Sequence, residues 1–153
     1  MPGAEARELV ERYVELMNTQ GWDRFEEVLH PDYVEEYPQS GERIHGIANA
    51  RAVRSNYPGG LEPDRIGRAA VISGDERRWV MTPGFQLVRM AGQDDRITFV
   101  LRTLYPDGSY WFVVALGEVR DGLLAHMTTY FAPEFPAPKW RAPFRETTGP
   151  GGA

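Results

Sequence analysis

The chain has 153 residues, 42% hydrophobic and 25% charged, with a net charge of −5 and no cysteine. This is globular composition for one domain, and it excludes a disordered chain, disulfides, thiolate catalysis and thiol-rich zinc sites. The acidic balance argues against nucleic acid, where affinity rests on cations meeting phosphate, and no apolar run approaches the roughly 20 residues of a membrane span.

The N-terminal segment MPGAEARELVERY is charged and helix-like, unlike a signal peptide, so a cytoplasmic protein is expected. The cations are sixteen arginines and one lysine, Lys139, a skew read as a GC-rich bacterial coding bias. It excludes a lysine Schiff base unless Lys139 is the amine, and no GxxxxGK phosphate loop exists.

Residues 4–18 place Leu9, Val10, Tyr13, Leu16 and Met17 at helical spacing, which predicts an amphipathic helix broken at Gly21. A second helix, WDRFEEVLH, turns Trp22, Phe25, Val28 and Leu29 to one side and stops near His30, before Pro31. Residues 32–38 suit a strand with Tyr33, Glu35 and Tyr37 on one face and Val34 and Glu36 on the other. QSGERIHG reads as a loop, and IANARAVRSNY as a third helix ending at Pro58-Gly59-Gly60.

The second half reads as strands at 66–73, 84–91, 97–105, 110–120 and 123–131, separated by turn signals. Four prolines within APEFPAPKWRAPF forbid a central strand after Ala132, and the tail 146–153 should be flexible. Helices first and strands after mean α+β, with about six mostly antiparallel strands wrapped over three helices. Residues 1–145 are taken as one domain.

Loop lengths give provisional registers. A four-residue loop at Pro106–Ser109 sets Leu104 opposite Trp111; a three-residue loop at Arg120–Gly122 sets Ala115 opposite Met127 and Val113 opposite Thr129. One face then carries Arg102, Trp111, Val113, Ala115, Gly117, Met127, Thr129 and Phe131. A one-residue slip swaps the faces. Both faces are rich in large apolar groups, so a homodimer through the second face is expected.

The segments RYVELMNTQGWDRFEEVLHPDYVEEYPQSG (12–41) and YPDGSYWFVVALGEVRDGLLAHMTTYF (105–131), with the tail YFAPEFPAPKWR, resemble the nuclear transport factor 2-like superfamily, most closely its SnoaL-like branch. The resemblance spans about residues 4–145. It implies a cone-shaped sheet over the helices, a pocket for a small apolar molecule, and acid–base chemistry without a cofactor. By resemblance to ketosteroid isomerases, Tyr13 falls at the oxyanion tyrosine. The base position falls at Tyr37, with Glu36 one residue earlier, and the second oxyanion acid at Ala115. The acid of SnoaL-like cyclases falls near Ala132. Two of the family's acids are thus alanines here.

The candidate catalytic set is Glu36, Tyr13 and Tyr37, with Glu35 as the alternative carboxylate. Arg102, Trp22, Trp111, Ala115, Met127 and Thr129 are the candidate substrate contacts. Arg102, on a concave apolar face, needs a partner such as Glu35, Glu36 or an anionic substrate. Each has a plainer reading: core tyrosine or tryptophan, solvated strand carboxylate, exterior arginine. His30, His45 and His126 lack metal-ligand spacing, so no metal is expected, and the resemblance implies no cofactor. Trp140-Arg141 is expected to pack across the cone or onto a partner chain. Two functions remain: a cofactor-independent cyclase, isomerase, dehydratase or hydrolase, or a binding or scaffold protein with the same pocket.

Overall fold

The first helix, α1 (Ala4–Asn18), buries the predicted stripe and adds Ala6 and Val14 to it. The chain is seen here in a computed structural model, which describes residues 4–58, 70–73, 78–81, 85–93, 95–105 and 107–148. The second helix is shorter than predicted, a 3₁₀ segment at Trp22–Glu27. Strand β1 already starts at Leu29 and ends at Tyr37. Leu29 pairs with Leu124, so the chain is extended before Pro31 would have forced it.

Strand β2 (Glu42–His45) lies inside the predicted loop. It is a short, charged edge strand whose sole apolar residue, Ile44, faces Glu35 across the ladder. Helix α2 (Ile47–Ser55) follows. Strands β3 (Ala70–Ser73) and β4 (Arg78–Met81) pair antiparallel as a separate ribbon. Residues 66–69 of the predicted strand, and Gly59-Gly60, lie outside the described residues.

The remaining strands are β5 (Phe85–Gln93), β6 (Arg96–Leu104), β7 (Tyr110–Arg120) and β8 (Leu123–Pro133). The main sheet has six strands in the order β2-β1-β8-β7-β6-β5. Among the described residues, only the β1–β8 pair of this sheet is parallel; the other neighbours run antiparallel. The result is the expected α+β arrangement, with an open mixed sheet. Its inner face packs on the helices through Tyr33, Phe99, Leu101, Val113, Ala115 and Met127.

Both predicted registers shift. Leu104 pairs with Tyr110 and Arg102 with Phe112, so Tyr105 joins the β6–β7 loop. There its ring stacks on Tyr57 at 5.7 Å between centroids. This one-residue slip turns Arg102 to the outer face. At the β7–β8 turn, Asp121 and Gly122 have φ of 54° and 76°, the two-residue turn that matches strand twist. Arg120 therefore pairs with Leu123. A bulge then restores the parity, setting Ala115 opposite Thr129 and Val113 opposite Phe131. The two slips add to an even shift, so the pairing changes but the predicted inner residues of β7 and β8 stay inside.

After β8 the proline-rich arm forms a 3₁₀ turn at Lys139–Phe144. Trp140 is 71% exposed, so it does not pack across the inner face of its own chain. Phe135 and Phe144 are exposed as well. Of the predicted tail, residues 149–153 lie outside the described set.

Candidate functional site

Strand alternation sends Tyr33, Glu35 and Tyr37 inward from β1. Helical spacing puts Ala50 and Arg54 on the buried side of α2. Tyr13 comes from the stripe of α1. These three elements bring a carboxylate that is 1% exposed against a guanidinium that is 8% exposed.

Arg54 donates Nη1 to Glu35 Oε1 and Nη2 to Glu35 Oε2, both at 3.0 Å. Tyr33 donates its hydroxyl to Oε2 at 2.8 Å, and Tyr37 to Oε1 at 2.7 Å. Each carboxylate oxygen thus accepts two hydrogen bonds. A buried ion pair is tolerable only when its desolvation is offset this completely. Burial pushes the Glu35 carboxyl up, but the Arg54 charge and the bonds from Arg54, Tyr37 and Tyr33 outweigh it and hold the carboxyl below its usual range.

Arg54 Nη2 also donates to Tyr13 Oη at 3.0 Å. Burial raises the Tyr13 pKa, and the Arg54 charge offsets this in part, so the phenol stays protonated near neutral pH. Tyr13 donates its own O–H to no described residue; the tyrosine is an acceptor toward Arg54 with a proton to spare. Tyr37 differs, because its proton is committed to Glu35. Burial, then the Glu35 charge, raise its pKa too.

Above this cluster the side chains leave a cavity of about 160 Å³. Tyr13 and Met17 of α1 form one wall, and Arg54 and Tyr57 another. Phe99 and Leu101 of β6, Val113 and Ala115 of β7, and Met127, Thr129 and Phe131 of β8 form the sheet side. Phe85 closes it at the start of β5, where Asn18 pins the chain by accepting from Phe85 N and donating to Phe85 O, both at 2.7 Å. The lining is apolar apart from Glu35, Arg54, Thr129 and the tyrosine hydroxyls.

Of the predicted site residues, Tyr13, Tyr37, Ala115, Met127 and Thr129 line this cavity. Glu36 does not. It sits one step along β1 on the outer face, 2.9 Å from His126 Nε2 and 3.5 Å from Arg43. Arg102 is corrected as well. On the outer face its Nε donates to Glu134 at 2.7 Å, and its guanidinium lies 3.8 Å from the Tyr110 ring centroid. Trp22 packs edge-on against Phe25 in the core. Trp111 lies in an adjoining surface groove with Tyr57 and Phe131, its indole N–H bonded to Ser109.

Sequence reasoning missed Arg54 and ranked Glu35 below Glu36. The signal was present: Ile47, Ala50 and Arg54 share one helical stripe, and an arginine on a buried stripe demands a carboxylate. Among the described residues, no three metal-ligating side chains come together. No helix among them is long and apolar enough to cross a membrane.

No curated protein matches the chain. Solved structures do. An NTF2-like protein of unknown function from Burkholderia xenovorans LB400 is 28% identical, with a TM-score of 0.72 over 95% of this chain and 96% of that one. A protein from Kribbella flavida DSM 17836, provisionally assigned as a ketosteroid isomerase, is 22% identical, with a TM-score of 0.68 over 95% and 90%. An LEH-like epoxide hydrolase from M. tuberculosis is 18% identical, with a TM-score of 0.59 over 84% and 83%. The last two likenesses concern the fold alone. The profile of the SnoaL-like domain matches residues 10–127, a span that holds Tyr13, Glu35, Arg54 and most of the cavity wall, and by that match the chain belongs to the SnoaL-like family within the nuclear transport factor 2-like superfamily.

Proposed function

We propose that the chain binds a small, largely apolar molecule carrying an acceptor oxygen, and that Tyr13 addresses that oxygen. The observation that carries this reading is the unspent Tyr13 proton at the edge of an apolar cavity, on a hydroxyl already accepting from Arg54. A phenol polarised by a neighbouring cation is a strong donor to a carbonyl or oxyanion. The Glu35–Arg54 pair holds the cation in place, and Tyr33 and Tyr37 hold the pair.

Acetophenone, an apolar ring with one acceptor oxygen, is the test probe. Calorimetric titration should show saturable binding to the native chain. Tyr13→Phe should weaken it about fivefold to tenfold, the worth of one hydrogen bond. Equal affinity in the two proteins rejects Tyr13 as the donor, and absence of binding rejects the cavity as the site.

A second reading is a cofactor-independent acid–base enzyme, favoured by the ionised carboxylate that lines the same cavity. Glu35 would take the proton and Tyr13 would hold the developing oxyanion. For that, Tyr37 must release Oε1, because all four bonds to the carboxylate are taken. Turnover that disappears in Glu35→Gln and persists in Glu36→Gln supports this reading; turnover in neither native nor variant protein leaves binding alone.

We also propose that the outer sheet face joins two copies of the chain. Leu116 and Tyr130 on that face are 44% and 40% exposed, and Phe112 and Val114 lie beside them. Light scattering at micromolar concentration should give twice the chain mass; a stable monomer overturns the proposal.

A further inference from the structure

Beside the cavity, and sharing Tyr57, Tyr105 and Phe131 with it, lies a surface groove of about 510 Å³. Those three rings and Trp111 form its apolar walls, and Asp107 and Ser109 of the β6–β7 loop form its polar rim. Unlike the groups sealed around Glu35, each of these six residues keeps surface open to water: Asp107 is exposed and the other five are half-buried. The Tyr105 and Trp111 rings stand at 85° to each other, 6.0 Å between centroids, so two aromatic walls meet in a corner. Tyr57 stacks on Tyr105 and extends that wall.

The loop fixes a carboxylate against this corner. Asp107 Oδ1 accepts from Ser109 N at 2.9 Å and from Ser109 Oγ at 2.5 Å. Ser109 Oγ in turn accepts from Trp111 Nε1 at 3.0 Å, which ties the indole edge to the carboxylate through one hydroxyl. The two bonds from Ser109 hold the Asp107 carboxyl below its usual range, so it is an anion at neutral pH. Its field reaches the aromatic wall: burial, then the Asp107 charge, raise the Tyr57 pKa. Among the described residues, no group donates to Asp107 Oδ2 and no cation pairs with this carboxylate. Ring faces and carboxylate both attract positive charge, and both repel an anion.

The geometry points to this groove as a binding site for an organic ammonium group, with Trp111 and Tyr105 as its aromatic walls and Asp107 as its counter-ion. A methylated ammonium suits it best, because its apolar skin packs on rings while its charge is felt by ring and carboxylate alike. A metal ion would need more oxygen ligands than one carboxylate supplies. The inference concerns the groove alone and stands whether or not the cavity takes acetophenone.

Choline and 3,3-dimethylbutan-1-ol share a shape and differ by one charge, and calorimetric titration compares them on four proteins: native, Asp107→Asn, Trp111→Leu and Asp23→Asn. The native chain should bind choline about tenfold more tightly than the alcohol. Asp107→Asn and Trp111→Leu should each lower choline affinity about threefold and shift the alcohol less. Asp23→Asn, which neutralises an exposed carboxylate outside the groove, should bind as the native chain does. Asp107 lies on an exposed loop, so Asp107→Asn stays folded and decides the outcome even if Trp111→Leu does not fold. Equal affinity for the two probes, no binding of choline, a preference that either folded groove variant leaves whole, or one that Asp23→Asn lowers as much, overturns the inference.

Discussion

Glu35 and Glu36 are neighbours on one strand, each beside a basic side chain, and they belong to different chemistries. Glu35 is sealed with Arg54 under four hydrogen bonds. Glu36 meets His126 and Arg43 where its side chain keeps 35% exposure and Arg43 keeps 69%. The hydrogen bond from His126, then the Arg43 charge, lower the Glu36 carboxyl in spite of slight desolvation. The lesson is that a single step along a strand exchanges water for protein as the medium. In water the pair is screened and contributes little. In the interior neither partner can be left alone.

The largest expected effect comes from breaking the inner pair on one side. Arg54→Met strands the carboxylate, and Glu35→Gln strands the guanidinium. Each should cost about 3–5 kcal/mol in urea unfolding. The double variant, with no buried charge left, should recover most of the loss. Recovery of nothing would mean that the site is held by shape rather than charge.

Acid should produce a smaller change along the same axis. The folded pKa of Glu35 lies below its unfolded value, so between the two the unfolded chain binds more protons. The stabilisation is therefore complete above the unfolded carboxylate pKa, about 4.3, and is lost as pH falls through the lower folded value. The stability gap between native protein and Glu35→Gln should narrow over that window. A gap that widens on acidification would contradict the assigned direction.

The smallest effect belongs to the outer cluster. Glu36→Gln should leave the unfolding midpoint almost where it was, and any change should fade with added salt. A loss comparable to that of Glu35→Gln would show the outer face to be covered in solution, as a second copy of the chain would cover it.

Much of this was readable in advance, for identifiable reasons. Period-two alternation put Tyr33, Glu35 and Tyr37 together before any fold was known, and the α1 stripe exposed the place of Tyr13. Ala115, Met127 and Thr129 came out on the correct face because an unforeseen tight turn and an unforeseen bulge together add to an even shift. Arg102 was misplaced because Tyr105 leaves the strand to stack in the loop, a tertiary choice that loop chemistry does not announce. Glu36 was favoured by position relative to relatives, and the strand's own alternation would have corrected it. Arg54 needed only the question of what a cation does on a buried helical stripe.

The parallel pairing of β1 with β8 has a consequence for how the chain comes to be folded. It sets Glu35 beside Met127, partners far apart along the chain. Long-range pairings of this kind slow folding, because chain closure comes before the reward. On a ribosome, β1 exists long before β8 is made. Until then its inner ladder edge is open, and only β2, with Glu42 and Arg43, guards the other side. The charge pair draws only on side chains of β1 and α2, but its cover from β8 arrives late, and a chain stopped before β8 would present Tyr33, Glu35 and Tyr37 on a strand with an unfinished edge.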